Sequence, residues 1–232
     1  MPREEFDEYA ASYKDLLQDP IRDKFAADGA FFAERKWILI RDFFARRKRD
    51  LGKMAWLDIG CGKGELLTLG QGTFHRVAGC DMSAEMLAGA RGLDVTLQTD
   101  PKRLPYADRT FDFLTAVCVF HHVEPPHRPG LVAEMVRVLK PGGVLGILEH
   151  NPLNPATRII VSRAPIDRNA ILLMAGESEK LLRKSGLSQI ESEYFLYLPE
   201  RLYRSAAWVE RVLRSLPLGG QYATFGQKPS AT

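Results

Sequence analysis

The chain of 232 residues is 45% hydrophobic and 26% charged, and its formal net charge is +3. This length and composition fit one substantial hydrophobic core, so we expect a single domain over residues 1–232. The small net charge argues against a broad basic surface of the kind that binds nucleic acid or a membrane.

The three cysteines, Cys61, Cys80 and Cys118, cannot all pair with one another, and their spacing is not that of metal ligands. We interpret them as small buried hydrophobic residues in a reducing compartment. No apolar run approaches the roughly 18 residues of a membrane-spanning helix. A cytoplasmic protein without a transmembrane segment is therefore expected.

Residues 3–48 are predicted to be helical, because apolar side chains recur at helical spacing. Pro20 and the pair Asp28-Gly29 interrupt the pattern and separate the helices. We therefore predict an N-terminal helical cap over residues 1–50, followed by the core of the domain over residues 51–150.

The stretch 55–67 reads as an apolar strand, a turn containing Gly60, Gly62 and Gly64, and the start of a helix. Glycines at alternate positions permit positive φ angles and let a ligand lie against the backbone, beside the unpaired N–H groups of the helix start. A second apolar run ends in Asp81. A carboxylate at this position can accept hydrogen bonds from both hydroxyls of a ribose.

Together with Asp58, the three glycines form the pattern Asp-x-Gly-x-Gly-x-Gly, which resembles motif I of the class I S-adenosylmethionine (SAM) dependent methyltransferases. The resemblance implies an α/β fold with a Rossmann-like, seven-stranded, mostly parallel sheet. Its last strand would be antiparallel, with helices on both faces and an N-terminal helical lid. A dehydrogenase is disfavoured, because the third glycine of the dinucleotide-binding fingerprint would fall at Glu65.

The same resemblance implies roles for individual residues. Asp81 matches the acid that binds the ribose of SAM, Met82 the apolar residue against adenine, and Asp100 the acid that accepts from the adenine amino group. Tyr13, together with Phe6-Asp7, resembles the lid, and packing of this helical stretch onto the sheet edge is the alternative. The implied SAM-binding residues are Tyr13, Asp58, Gly60, Cys61, Gly62, Gly64, Asp81, Met82, Asp100, Pro101, Val117 and His121.

The apolar strand 111–119 leads into His121-His122, and strand five leads into Glu149-His150. The paired histidines resemble the corresponding segment of ubiquinone-biosynthesis-type methyltransferases. The carboxyl ends of parallel strands share one edge of the sheet, where open α/β sheets bind ligands. We predict His122 as the first candidate for the base and His150 as the second, with Glu149 orienting one imidazole. One histidine of the pair is expected to point into the fold and hydrogen-bond to the backbone, which leaves the other to face the substrate.

No metal site is predicted, because no carboxylate or thiolate completes a compact set with His121, His122 and His127 at the usual spacing.

Residues 151–175 are predicted to form an insert on the acceptor side, which opens with the loop-like stretch 151–155. Its arginines, Arg158, Arg163 and Arg168, suit an anionic or phosphate-bearing acceptor, since guanidinium groups bind such groups in a bidentate manner. Solvated surface arginines are the alternative. Residues 176–232 are expected to complete the sheet.

The predicted function is transfer of a methyl group from SAM to a small-molecule acceptor, leaving S-adenosylhomocysteine. A hydroxyl oxygen of a sugar, lipid or other metabolite is preferred, and nitrogen and carbon stay open. A nucleic-acid acceptor is disfavoured, because the segment after strand four lacks the Asn- or Asp-Pro-Pro-aromatic pattern. A non-catalytic SAM-binding protein is a further alternative. The sequence makes no prediction of the oligomeric state.

Overall fold

The computed structural model describes residues 7–230, and its seven strands form one sheet in the order β3-β2-β1-β4-β5-β7-β6. The strands are β1 (Ala55–Ile59), β2 (Arg76–Asp81), β3 (Asp94–Leu97), β4 (Phe111–Val117), β5 (Leu139–His150), β6 (Ser188–Phe195) and β7 (Gln221–Gln227). Strands β1 to β5 pair in parallel, whereas β7 is antiparallel to both β5 and β6. The predicted seven-stranded, mostly parallel sheet with an antiparallel last strand is confirmed.

In the part of the chain that the structure describes, residues 7–9 are helical, and three helices from Tyr13 onward precede the sheet, separated at the predicted breaks. They are α1 (Tyr13–Leu16), α2 (Pro20–Phe25) and α3 (Ala30–Arg46). Asp19 caps α2 by accepting from the N–H groups of Ile21 and Arg22 at 2.7 and 3.3 Å, and Pro20 occupies the first helical position. Turn chemistry in the sequence thus sets the start of this helix.

The remaining helices connect the strands. They are α4 (Glu65–Gly70), α5 (Ala84–Ala88), α6 (Arg128–Val138), α7 (Pro155–Arg163), α8 (Ala175–Lys184) and α9 (Glu200–Leu213), with short 3-10 turns at Leu51–Lys53, Phe120–His122, Pro125–His127 and Pro165–Asp167. Within residues 7–230, none of the helices combines the length and apolar character needed to cross a membrane.

The hydrophobic core lies on both faces of the sheet. Every residue of β1 is buried, as expected for a parallel strand covered on both sides. Trp56 stacks on Trp37 of α3, with ring centroids 6.2 Å apart. Leu57 belongs to the other core cluster, together with Met135 of α6 and Leu182 of α8. Helices therefore cover both faces of the sheet. The carboxyl ends of the parallel strands lie together at one edge of it.

The segment after β5 differs from the prediction. A loop was predicted over residues 151–155, and α7 begins at its last residue. Asn154 caps the helix by accepting from the N–H of Thr157 at 3.0 Å, and Pro155 is the first helical residue. Residues 151–154 contain no helix or strand, as predicted, but the helix that follows was not predicted, although both start signals were present in the sequence.

Helix α6 ends before the turn residues that follow it. Pro141-Gly142-Gly143 is typical of the end of a helix, but α6 already ends at Val138. Leu139 is fully buried and pairs with Phe111 of β4. The strand therefore begins before the proline, and the shifted register between β4 and β5 accommodates the turn residues.

Candidate active site

The turn between β1 and α4 has the backbone that its glycines predict. The φ angles of Gly60, Gly62 and Gly64 are 67°, 53° and 75°, in the left-handed region that favours glycine. A Cβ atom at Gly60 would approach Val119 to 2.6 Å, and one at Gly64 would approach Leu93 to 2.2 Å. A Cβ at Gly62 would meet nothing within 4 Å. Gly62 therefore presents bare backbone to open space.

Asp81 lies beside that open backbone. Its Oδ2 accepts from the N–H of Gly62 at 2.8 Å, and its Oδ1 accepts from the N–H of Ser83 at 2.9 Å. Burial raises the pKa of the Asp81 carboxyl, although these backbone hydrogen bonds oppose the rise. The carboxylate is held rigidly at the end of β2, and its remaining lone pairs can accept from a ligand.

Two other residues that the resemblance implied for SAM binding have internal contacts. Asp58 is 3% exposed, and its Oδ1 accepts from the Thr115 hydroxyl at 2.6 Å. Burial raises the pKa of Asp58 to about 7. Cys61 is packed toward β2, since a Cβ at Gly79 would lie 2.6 Å from its Sγ. Asp58 thus joins β1 to β4, beneath the glycine turn.

The residues predicted for the adenine end are spread over the same edge. Met82 and Val117 are half-buried, whereas Asp100 and Pro101 are exposed. Asp100 caps a local turn, in which its Oδ1 accepts from the N–H of Lys102 at 2.8 Å. This is the Asp-Pro turn chemistry that competes with a ligand-binding role for Asp100.

The N-terminal segment contacts the glycine turn and the start of α5. Lys63 donates to the backbone oxygen of Ala10 at 2.8 Å. The Ser83 hydroxyl donates to Oδ1 of Asp7 at 2.5 Å. The segment is therefore joined to both parts of the chain that follow β1 and β2.

Tyr13 lies between the glycine turn and the opposite side of the site. The Lys63 ammonium is 5.9 Å from the centre of its ring. Burial raises the pKa of the Tyr13 hydroxyl, and the nearby Cys118, Asp167 and other acidic groups add to the rise. Phe6, which was predicted beside Tyr13, lies outside the described residues.

A buried hydrogen-bonded chain centres on His121. Its Nδ1 is 2.6 Å from Oε2 of Glu149, and its Nε2 is 3.3 Å from Oδ1 of Asp167. The second oxygen of Glu149 accepts from the N–H of Phe120 at 2.7 Å. The three side chains come from the turn after β4, the end of β5 and the turn after α7. These hydrogen-bonded side chains thus join the sheet edge to the insert.

The two carboxylates determine the charge of His121. Burial alone would lower the pKa of the imidazole, but Glu149 and Asp167 outweigh it and hold that pKa well above its usual range. The pKa values of both carboxyls are lowered in spite of their burial, chiefly by His121. His121 is therefore an imidazolium that donates to a carboxylate on each side.

His122 and His150 flank the charged ring and have the opposite electrostatics. Their ring centroids lie 4.0 and 5.1 Å from that of His121. Burial, followed by the charge of His121, lowers the pKa of His122 to about 3 and that of His150 to about 4. Nε2 of His122 lies 3.5 Å from Oδ1 of Asp167. Both imidazoles are neutral near neutral pH.

The carboxylate contacts depart from the sequence prediction. The hydrogen bonds that join Glu149 to an imidazole go to His121, not to His122 or His150. The histidine that points into the fold is His121, and carboxylates rather than backbone groups are its partners. Asp167, which no sequence signal singled out, contacts two of the three rings. Its position depends on how α7 returns the chain to the site.

Other residues that the sequence analysis considered for the site lie away from the hydrogen-bonded side chains around His121. His127 is 70% exposed and 3.8 Å from Glu124. Arg158, Arg163 and Arg168 are all exposed, as in the surface alternative.

Among residues 7–230, His121, His150 and Asp167 form a compact donor set, with one ligand atom from each lying within 4.8 Å of the others. No sequence spacing indicates this set, because Asp167 is distant in sequence from both histidines. The carboxylate partners of both His121 nitrogens already account for the arrangement by hydrogen bonding.

Comparison with known proteins identifies the core of the chain. Residues 57–147 match the family model described as a methyltransferase domain. This stretch includes the glycine turn, Asp81 and the paired histidines. The core is a SAM-dependent methyltransferase domain. SAM is accordingly the cofactor of this domain, in agreement with the resemblance of the glycine motif.

Relatives of the methyltransferase domain are named for several different activities. The chain is 32% identical over 138 residues to "Probable tRNA methyltransferase 9B" of Bos taurus, covering 57% of this chain and 29% of that protein. It is 35% identical over 132 residues to demethylmenaquinone methyltransferase of Lactobacillus johnsonii, covering 51% and 53%. The chain thus spans about half the length of one relative and less of the other.

A solved SAM-dependent methyltransferase of Thermotoga maritima has the same fold. It superposes with a TM-score of 0.68 over 97% of this chain and 99% of that one, at 19% sequence identity. This similarity extends the shared fold beyond the residues of the matched domain.

The residues of the methyltransferase domain fit SAM. The open space at Gly62 lets a ligand lie against the backbone, as the amino-acid end of SAM requires. The fixed carboxylate of Asp81 is an acceptor suited to the ribose hydroxyls. Gly60, Gly62, Gly64 and Asp81 are thus the residues that would hold the cofactor.

Proposed function

We propose that the chain transfers a methyl group from SAM to a hydroxyl oxygen of a small-molecule acceptor. The observation that carries this proposal is the position of His122 and His150, which lie beside His121 at the same sheet edge as Asp81, with Nε2 of His122 3.5 Å from Oδ1 of Asp167. SAM supplies a methyl group on a sulfonium centre, which is already a good electrophile. The protein has to align the acceptor, exclude water and accept the hydroxyl proton.

His122 is the first candidate for the base. Its side chain is 13% exposed, and its imidazole is neutral near neutral pH. The Asp167 carboxylate, 3.5 Å from Nε2, would stabilise the imidazolium that forms when His122 takes the proton. His150 is the second candidate. Glu149 acts through His121, which it holds in place, so we assign it a positioning role.

The N-terminal segment is proposed to act as a lid. Its contacts through Asp7 and Ala10 join it to both chain segments proposed to hold SAM, and Cys118 and Asp167 are close enough to Tyr13 to raise the pKa of its hydroxyl. Closure of such a segment would exclude water from the methyl transfer. We therefore place Tyr13 at the boundary between the cofactor and the acceptor.

The acceptor class remains part of the proposal. The relatives' names include a quinone-pathway methyltransferase and a tRNA methyltransferase. Nitrogen and carbon acceptors are therefore alternatives, and the tRNA relative makes RNA the competing macromolecular acceptor. The exposed arginines of the insert give no support to a buried anion-binding pocket.

The first test measures thermal unfolding of the full chain with SAM, S-adenosylhomocysteine and NADH. Ligand at about 100 times its Kd should stabilise the protein by roughly 2.7 kcal/mol. SAM and its product should raise the midpoint, NADH should not, and Asp81→Ala should abolish the effect. Asp50→Ala is the matched control, because this carboxylate is 62% exposed and caps a turn before β1, at the opposite end of that strand from the glycine turn.

The second test follows S-adenosylhomocysteine formation with hydroxyl, amine and carbon acceptors and with tRNA. His122→Gln should lower kcat while leaving the SAM-dependent shift of the midpoint intact. Turnover with tRNA and none with small molecules would refute the proposed acceptor class. Absence of any SAM effect on unfolding would refute the SAM-dependent activity itself.

A further inference from the structure

Helix α9 and the turn after it expose apolar side chains to solvent. The exposed fractions are 55% for Leu202, 62% for Trp208, 72% for Val212, 47% for Leu216 and 63% for Leu218. Trp208 and Val212 are four residues apart and therefore neighbours on one side of the helix. Apolar groups gathered in this way on a protein surface usually mark an interaction site.

The exposed charged side chains of the same segment are all positive. Residues 201–218 contain four arginines, Arg201, Arg204, Arg211 and Arg214, all of them exposed. The single acid of this segment, Glu210, is 4% exposed. Arg204 also pairs with Glu200 at 2.7 Å, on the side of the helix start. The segment thus presents apolar and positive groups together.

Buried contacts fix which side of α9 faces outward. Glu210 forms a buried ion pair with Arg35 of α3 and accepts from the N–H groups of Tyr197 and Leu198, each at 2.9 Å. The Arg35 guanidinium also lies 3.6 Å from the centre of the Tyr203 ring. A helix that only packs on a core turns its apolar side inward. Here a carboxylate faces inward, and Trp208 is left outside.

We propose that residues 201–218 form a docking surface for an anionic lipid bilayer. Amphipathic helices that lie in the membrane interface combine such apolar residues with arginine, and tryptophan is enriched at that depth. Anionic headgroups attract the arginines through charge. The apolar groups are mostly aliphatic, whereas surfaces that bind single-stranded nucleic acid depend on aromatic stacking. A bilayer is therefore the occupant that this composition favours.

The docking surface is joined to the acceptor side of the methyltransferase domain. Asn151, next to His150, donates to the backbone oxygens of Pro217 and Gly219 at 3.1 and 2.8 Å. Asn154 donates to the oxygen of Leu218 at 2.7 Å. Docking would bring the strand edge with the histidines toward the membrane. If the proposed methyl transfer is correct, this placement indicates that the methyl acceptor is a lipid or a lipid-linked molecule.

Vesicle binding tests the docking surface without SAM or acceptor. The full chain is mixed with vesicles of phosphatidylcholine, with or without phosphatidylglycerol in equal amount, and separated by flotation. The chain should float with the anionic vesicles, and less so as salt is raised. Trp37 and Trp56 are buried, so a blue shift of tryptophan fluorescence would report on Trp208.

Matched variants assign the binding to this surface. Trp208→Glu with Val212→Glu should abolish flotation and the blue shift. Arg211→Glu with Arg214→Glu should weaken binding by roughly tenfold or more. The control, Lys53→Glu with Arg91→Glu, makes the same charge change on exposed residues before β1 and β3 and should bind as the wild type does.

Each variant is first checked for the wild-type unfolding midpoint. Failure of the wild type to bind anionic vesicles overturns the proposal, as does equal loss in the Lys53/Arg91 control. Dimerisation or RNA binding through Trp208 without vesicle binding also overturns it. Because neither SAM nor acceptor is present, this result is independent of the test of methyl transfer.

Discussion

The Glu149 carboxylate lies 2.6 Å from Nδ1 of His121, and both side chains are shielded from solvent. This contact joins the end of β5 to the turn after β4. The partners carry opposite charges, because the pKa of His121 is raised and that of Glu149 is lowered. The charged pair therefore fixes the position of the ring around which His122 and His150 are arranged.

Replacement of Glu149 by glutamine should destabilise the fold by about 3 kcal/mol, because it leaves a buried imidazolium with one carboxylate instead of two. Urea-induced unfolding measures the change. Glu124→Gln is the matched control, since this carboxylate is 73% exposed. It should change the free energy of unfolding by less than about 0.5 kcal/mol. Equal effects of the two changes would contradict a buried charged pair.

The stabilising effect of this pair should depend on pH at both ends. The pKa of His121 is raised by folding, so its contribution is complete below about pH 6.5 and declines as pH rises through the folded value. The pKa of Glu149 is lowered, so its contribution is complete above about pH 4.3 and declines as pH falls through the folded value.

The difference in unfolding free energy between the wild type and Glu149→Gln should thus be greatest between these limits. Urea titrations at a series of pH values measure it. A difference that stays constant from acid to alkaline pH would show that neither group titrates as the contact requires.

The pH dependence of methyl transfer should not show the titration of a histidine with an ordinary pKa of about 6.5. The lowered pKa values of His122 and His150, about 3 and about 4, leave both imidazoles neutral at higher pH. With an acceptor that does not itself titrate, kcat/KM should be flat between about pH 5 and about pH 8. A fall in kcat/KM below about pH 6.5 would contradict the assignment of a buried, neutral base.

The two neighbouring glycines Gly60 and Gly62 should respond differently to alanine. Gly60→Ala would clash with Val119 and should destabilise the fold by about 3 kcal/mol. Gly62→Ala meets open space, so only its positive φ angle opposes it, at about 1 kcal/mol.

The new methyl group at position 62 would, however, occupy the space assigned to SAM. Urea unfolding and calorimetric titration with SAM separate the two effects. We expect the greater loss of stability in Gly60→Ala and, relative to stability, the greater loss of SAM affinity in Gly62→Ala. Unchanged SAM affinity in Gly62→Ala would remove this residue from the cofactor site.

The proximity of Gly62 to Asp81 was the part of the candidate site that the sequence could predict. Adjacent parallel strands bring the end of β1 and the end of β2 together, so Gly62 and Asp81 follow from a local motif and the strand order. The histidine chain could be predicted only in part. Asp167 reaches His121 because α7 folds the insert back, and no periodicity of the sequence encodes that return.

The surface of α9 was not predictable from the overall charge. The net charge of +3 averages the arginines of this segment with acids elsewhere. The inward position of Glu210 depends on its long-range contact with Arg35. The spacing of the apolar residues alone would have predicted that the apolar side of this helix faces the core.

The position of β7 has a consequence for the order in which the chain folds. This strand is synthesised after the other six, yet it lies between β5 and β6, and Val144 pairs with Gln227. Until β7 emerges from the ribosome, β5 has an unpaired edge and β6 has no neighbouring strand. Such edges are prone to pair with other chains. Strand β5, which ends at His150, therefore has one unpaired edge until β7 has been synthesised. Translation that stalls before residue 221 would leave an aggregation-prone intermediate.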